Sequence, residues 1–73
     1  MAIKWKLRAC RVQAGYTQKE AAELMGISEP ALITYETGRS TPNMDVGQKM
    51  SELYQIPLEI MDFSKVGNTL IKD

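Results

Sequence analysis

A chain of 73 residues holds one domain at most, and at this size only ~60–65% of the unfolded surface is buried, so modest stability aided by a dimer interface is expected. Nine Lys and Arg cancel nine Asp and Glu, which removes the broad positive field that supplies most non-specific affinity for nucleic acid. There is no histidine, which excludes Ser-His and Cys-His nucleophiles and the commonest zinc ligand, and the single cysteine, Cys10, can form neither an internal disulfide nor a metal cage.

Cys10 reads as a core residue of a protein in a reducing compartment. No apolar run approaches the ~18 residues of a membrane span and the N-terminus lacks an apolar signal-peptide segment, so a cytoplasmic location is expected. The charges are unevenly spread. Lys4, Lys6, Arg8, Arg11 and Lys19 place five of nine cations in the first nineteen residues with no acid among them, while residues 20–73 carry four cations against nine acids. A basic end and an acidic end can orient a small protein on DNA.

In chain order, residues from about Lys4 to Ala14 read as a first helix, with Leu7, Cys10 and Ala14 on one face, Ala9 and Val12 flanking, Trp5 covering the end of the core and Gly15 as the stop. Thr17 and Glu20 form a capping box for a second helix with Ala21, Ala22, Leu24 and Met25 as its apolar face, ended by a left-handed turn at Gly26. Ser28 caps a third helix with Pro30 in its first turn, Leu32 and Tyr35 as an apolar pair, and Gly38 as its stop. Two short helices joined by a three-to-four-residue turn make a helix-turn-helix unit, whose second helix can enter the DNA major groove.

After the turn Arg39-Ser40-Thr41-Pro42, Asn43 caps a fourth helix to about Tyr54, with Met44, Val46, Gly47, Met50, Leu53 and Tyr54 as inward positions. Gly47 inside it costs ~1 kcal/mol against alanine and marks close packing. Ile56-Pro57 ends that helix, and Pro57 to Met61 reads as one more helical turn, Leu58 and Met61 closing the core. From Asp62 the pattern dissolves into a frayed or short extended segment in which Val66, Leu70 and Ile71 can dock on a partner chain. The expected organisation is a compact, five-helix, all-α domain over residues 1–61 and a tail over 62–73 that contacts a dimer partner or is disordered.

Leu7, Arg11, Gly15, Thr17-Gln18, Glu20-Ala21-Ala22, Gly26-Ile27-Ser28, Leu32, Tyr35-Glu36, Gly38-Arg39, Pro42 and Ile56-Pro57-Leu58 stand in the order and spacing of the Cro/CI type of helix-turn-helix domain. The chain resembles this lambda-repressor-like XRE family from Leu7 to about Met61. The resemblance implies that Gln18 bonds a backbone phosphate and braces the reading helix, the alternative being a solvated first-turn residue. It also implies an ion pair between Arg11 and Glu36 beneath that helix, a structural role for both residues.

By the same resemblance Ser28, Glu29, Pro30, Ile33 and Thr34 face base edges. Here the chain departs from the usual pattern, for its third helix has none of the Gln, Asn or Arg that make bidentate bonds to adenine or guanine. Glu29 either accepts from cytosine N4 or only meets the helix dipole. Pro30 and Ile33 offer apolar contact with thymine methyl groups, Ile33 otherwise being a rim residue, and Thr34 meets phosphate, base or solvent. Phosphate positioning and DNA shape are therefore expected to carry much of the specificity. Arg39, Ser40 and Thr41 continue the backbone contacts, and Asn43 is first a cap and then a further phosphate partner.

The resemblance thus implies a sequence-specific regulator of transcription, a Cro/CI-like repressor of phage, prophage or mobile-element descent. It binds double-stranded DNA as a homodimer across half-sites about one helical turn apart. The chain also fits an excised N-terminal domain. The competing expectation is a protein-interaction module of the same fold, an anti-repressor or antitoxin-like partner, favoured by the zero net charge, the acid at position 29 and an exposed Ile33. Nothing in the chain points to an enzyme, a cofactor, a metal, a membrane or a small-molecule substrate, and no Gly-rich phosphate loop is present.

Overall fold

Helix boundaries are set by capping chemistry that can be followed residue by residue. The computed structural model describes residues 4–64. It contains β1 (Trp5–Lys6), α1 (Leu7–Ala14), α2 (Gln18–Met25), α3 (Glu29–Glu36), α4 (Met44–Tyr54), a 3₁₀ turn (Leu58–Ile60) and β2 (Met61–Asp62). At the start of α2 the Glu20 N–H donates to Thr17 Oγ1 at 3.0 Å and the Thr17 N–H to Glu20 Oε1 at 2.9 Å, the reciprocal capping box. Ser28 Oγ accepts from the Ala31 N–H at 3.2 Å, and Asn43 Oδ1 from the Val46 N–H at 2.9 Å, so α3 and α4 also begin on side-chain caps. Gly26 ends α2 at φ 73°, a left-handed conformation that directs the chain from α2 into α3.

The helices share one core. Leu7 and Cys10 from α1, Ala21, Ala22 and Met25 from α2, Leu32 from α3, and Val46, Met50 and Tyr54 from α4 are buried together with Ile56 and Met61. Within this core α2 packs on α3 and α4, and α1 on α4. Burial pushes the Cys10 thiol above its ordinary pKa, which suits an apolar filler rather than a nucleophile. Among the described residues no helix is long and apolar enough to cross a membrane.

Three expectations need correction. First, α1 starts at Leu7 rather than Lys4, because Trp5 and Lys6 are extended and pair in parallel with Met61 and Asp62, Trp5 opposite Met61 and Lys6 opposite Asp62. Lys6 supplies no side-chain cap and the first turn of α1 has no acid, so nothing favours an earlier helical start. The domain is therefore mostly helical with a two-stranded pair, not all-α. Second, the fifth helix is a 3₁₀ turn of three residues that follows Pro57, and four α-helices precede it.

Third, Leu24 and Met44 point outward, 63% and 80% exposed, and Ala9 and Val12 are exposed on α1. On α2 the buried positions are 21, 22 and 25, and on α4 they are 46, 47, 50 and 54. At about 100° per residue, Leu24 and Met44 each lie roughly 100° away from the centre of their helix's buried stripe. Gly47 is buried under Leu58 and Phe63, but a Cβ there would stand 3.7 Å from Phe63 Cζ and 3.8 Å from Leu58 Cδ2, which is ordinary contact. Close packing does not account for that glycine. Val66, Leu70 and Ile71 lie outside the described residues, so the tail's expected docking concerns positions the structure does not describe.

The strand pair is clasped by charge. Lys6 Nζ donates to Asp62 Oδ2 at 3.1 Å, while the Ser64 N–H and hydroxyl donate to Asp62 Oδ1 at 2.9 and 2.6 Å. The two Ser64 donors first, and then Lys6, pull the Asp62 carboxyl down to about 2.

Candidate nucleic-acid interface

The outer side of α3 and the segments flanking it gather most of the residues singled out by sequence. Glu29 and Pro30 form the exposed first turn of α3, Ile33 is 38% exposed one turn further on, and Thr34 beside it is half-buried. α3 is apolar on both sides, since Leu32 is fully buried in the core while Pro30 and Ile33 face away from it. A helix hydrophobic all round normally has a partner on each face. The inner partner is the core, and among the described residues nothing covers the outer face.

The pose of this helix is held by one carboxylate. Glu36, at the last position of α3, accepts from Arg11 Nε at 2.7 Å and Arg11 Nη2 at 3.3 Å, and from the amide Nε2 of Gln18 at 3.1 Å. Arg11 Nη1 donates to the Tyr16 carbonyl at 2.8 Å. The pair is nearly dry, with side-chain exposures of 8% for Arg11 and 2% for Glu36. Through Glu36 the start of α2 and the middle of α1 are fastened to the end of α3. Gln18 thereby spends one amide hydrogen inside the protein and keeps its second hydrogen and its carbonyl for an outside partner.

Nearby on α4 the hydroxyl of Tyr54 is buried and has no hydrogen-bond partner among the described residues. Burial first, and then the negative charge of Glu36, push it above its ordinary range. Its ring lies 6.5 Å from that of Tyr16, tilted by 37°. Removing the Glu36 carboxylate therefore releases donors of α1 and α2 together.

The hydroxyls along α3 are largely committed to its own backbone. Thr34 Oγ1 donates to the Pro30 carbonyl at 3.0 Å, and Thr37 Oγ1 shares its hydrogen between the carbonyls of Ile33 at 2.9 Å and Thr34 at 3.2 Å. Ser28 Oγ serves as an acceptor in its cap and retains its proton. The carboxylate of Glu29 is exposed.

Beyond α3, Arg39 is exposed and its N–H donates to the Thr34 carbonyl at 3.1 Å, which fixes its backbone against the end of the helix. Ser40 is half-buried. Thr41 is exposed, but its hydroxyl donates to the Phe63 carbonyl at 3.1 Å, and Asn43 has its side-chain oxygen in the α4 cap. Lys19, next to Gln18 in the first turn of α2, is exposed. Lys6 instead sits on the strand pair facing Asp62, so part of the basic N-terminus is matched by an acid elsewhere on the surface.

Sequence reasoning passed over Thr37, the exposed C-cap of α3. The signal was its spacing, because 30, 33, 34 and 37 recur at the three-to-four-residue interval of one helical face. Among the described residues no group of His, Cys, Asp and Glu is arranged to hold a metal ion.

Comparison with known proteins places this geometry in context. Residues 7–61 match the helix-turn-helix family. The chain is 38% identical over 61 residues to the HTH-type transcriptional regulator ImmR of Bacillus subtilis, a match covering 84% of this chain and 48% of that protein. It is 28% identical over 53 residues to the cryptic phage CTXphi transcriptional repressor RstR of Vibrio cholerae, covering 73% of this chain and 48% of the repressor. A third relative is the SPbeta prophage-derived uncharacterized HTH-type transcriptional regulator YonR of Bacillus subtilis, 27% identical over 56 residues, with 77% of this chain and 52% of that protein aligned. The chain thus spans about half the length of each of these three relatives.

Proposed function

The chain belongs to the helix-turn-helix family, and we propose on that premise that it is a sequence-specific, double-stranded DNA-binding regulator of transcription of the Cro/CI type. In this reading α3 lies in the major groove, the start of α2 rests on the backbone, and a homodimer spans two half-sites. The observation that carries it is the α2–α3 unit itself. Two eight-residue helices are joined through left-handed Gly26, the outer face of the second is uncovered among the described residues, and Gln18 and Arg39 meet its C-terminal end, with exposed Lys19 next to Gln18 in sequence. The relatives named as regulators and phage repressors support the same role and a phage, prophage or mobile-element descent.

Each residue takes a definite part. Gln18 and Arg39 hold phosphates, with Ser40, Thr41 and Asn43 continuing the line of backbone contacts. Ser28, Glu29, Pro30, Ile33 and Thr34 face the bases, and Arg11 with Glu36 keeps the reading helix in place. Phosphate contacts set register and base contacts set sequence.

Selection of bound sequences from a random duplex pool at ~50 mM salt, followed by affinity for the winner at rising salt, tests this. A palindrome with half-sites about ten base pairs apart is the expected result. Failure to enrich any sequence with a folded sample overturns it in favour of the second reading, a protein-interaction module of the same fold. The exposed Ile33 and the acid Glu29 on α3, in a chain of zero net charge, are the observations on that side.

A further inference from the structure

From the hydrogen bonds on α3 we infer that this protein reads thymine methyl groups, with Ile33 as the residue that fixes specificity and Pro30 and the methyl of Thr34 beside it. The inference rests on the DNA-binding reading above and names what the helix recognises. Four side chains lie on the outer stripe of α3, at positions 30, 33, 34 and 37. Two have no polar atom. The other two are threonines whose hydroxyl hydrogens are already given to backbone carbonyls of Pro30, Ile33 and Thr34. A threonine whose hydroxyl folds back onto the preceding turn leaves its methyl as the group free to meet a partner.

The hydrogen-bond donors left on this surface are therefore few. Guanine O6 and N7 and adenine N7 are acceptors and call for a donor, yet among the described residues the only side-chain donor that the outer face of α3 retains is the Ser28 hydroxyl at its margin, while the Glu29 carboxylate can only accept. Thymine is the one base whose major-groove edge carries an apolar group. An exposed isoleucine flanked by a proline ring and a threonine methyl matches that group, and the match is with DNA because the cations at this end of the domain, Lys19 and Arg39, supply charge for the adjacent phosphates.

The test needs no change to the protein at first. In the duplex recovered by selection, each thymine is replaced in turn by deoxyuridine, which keeps Watson–Crick pairing and removes only the methyl, and affinity is compared by titration. At one or two positions per half-site, loss of the methyl is expected to weaken binding about fourfold, the value of one buried methyl-sized group. Cytosine at those positions should bind more weakly still, and 5-methylcytosine should recover about fourfold over cytosine. With Ile33→Ala, whose side chain is part-exposed and outside the core cluster, the thymine and deoxyuridine duplexes should bind alike.

If every deoxyuridine duplex binds as its thymine parent does, methyl readout is overturned and the DNA-binding reading stands. An equal deoxyuridine penalty in the wild type and in Ile33→Ala overturns the assignment to Ile33. A selected site with no thymine facing α3 overturns the inference as well, and absence of any selected duplex overturns it together with the function on which it rests.

Discussion

Replacing Arg11 by leucine is expected to unfasten α3 from the rest of the domain. The wild-type guanidinium makes three hydrogen bonds, two to Glu36 and one to the Tyr16 carbonyl, in a setting where the carboxylate side chain is 2% exposed. With Arg11→Leu, the partner left to Glu36 among the described residues is the Gln18 amide at 3.1 Å, a neutral donor for a dry negative charge. Breaking a buried pair from one side costs ~3–5 kcal/mol, because the remaining ion has neither water nor a counter-charge. A domain of this length has ~4–11 kcal/mol in all at 0.05–0.15 kcal/mol per residue, so one substitution removes a large part of it. Glu36→Leu should cost about as much by stranding the guanidinium, while the double replacement should cost much less than the sum of the two, since no charge is then left buried. Urea unfolding followed by circular dichroism gives all three values, with equal slopes required for the comparison. A single-substitution loss below ~1 kcal/mol, or strict additivity in the double variant, would refute the premise that the pair is desolvated and coupled.

Other outcomes follow from single contacts. Gly47→Ala should raise stability by ~0.5–1 kcal/mol and the melting temperature by ~2–8 °C, because the added methyl meets Phe63 and Leu58 at ordinary distance and the helix loses its weakest former; a lower melting temperature would show that the site is tighter than 3.7 Å implies. Arg39→Ala should weaken binding to every DNA sequence alike and flatten the salt slope by about one unit, and unchanged affinity at low salt would remove Arg39 from the interface. Asp62, held at about 2 against an ordinary 3.8, has a folded value below its unfolded one, so its contribution is complete above about pH 4 and is lost as pH falls through the window down to about 2. Acid unfolding of Asp62→Asn should therefore lack the part of the wild-type decline that falls in that window.

What could be read from the chain was local chemistry. Thr17 with Glu20, Ser28 and Asn43 each satisfy helix donors within three residues of themselves, so the starts of α2, α3 and α4 follow from neighbours in sequence. Trp5 and Lys6 do not work that way. Their extended form depends on residues 61 and 62, and a two-residue strand has too few positions to show an alternating pattern. Leu24 and Met44 are apolar yet exposed, because angular position on the helix, not apolar character alone, decides burial. At the candidate interface, composition revealed the shortage of long polar groups on α3. The further commitment of the Thr34 and Thr37 hydroxyls to the backbone depends on side-chain rotamers, which only coordinates display.

The strand pair bears on the order in which the domain assembles. Lys6 and Asp62 are 56 positions apart, and drawing the ends of so long a loop together from an open chain costs about 3.6 kcal/mol in chain entropy. A two-residue ladder and an ion pair whose lysine side chain is 69% exposed return no more than ~1–2 kcal/mol. The clasp is thus unable to nucleate anything, and it closes only once α1 and α4 have packed and brought its two halves within reach. It should be the last contact made in folding and the first released in native-state fluctuations, so that amides around residues 5–6 and 61–62 exchange with solvent while those of α2 and α4 remain protected.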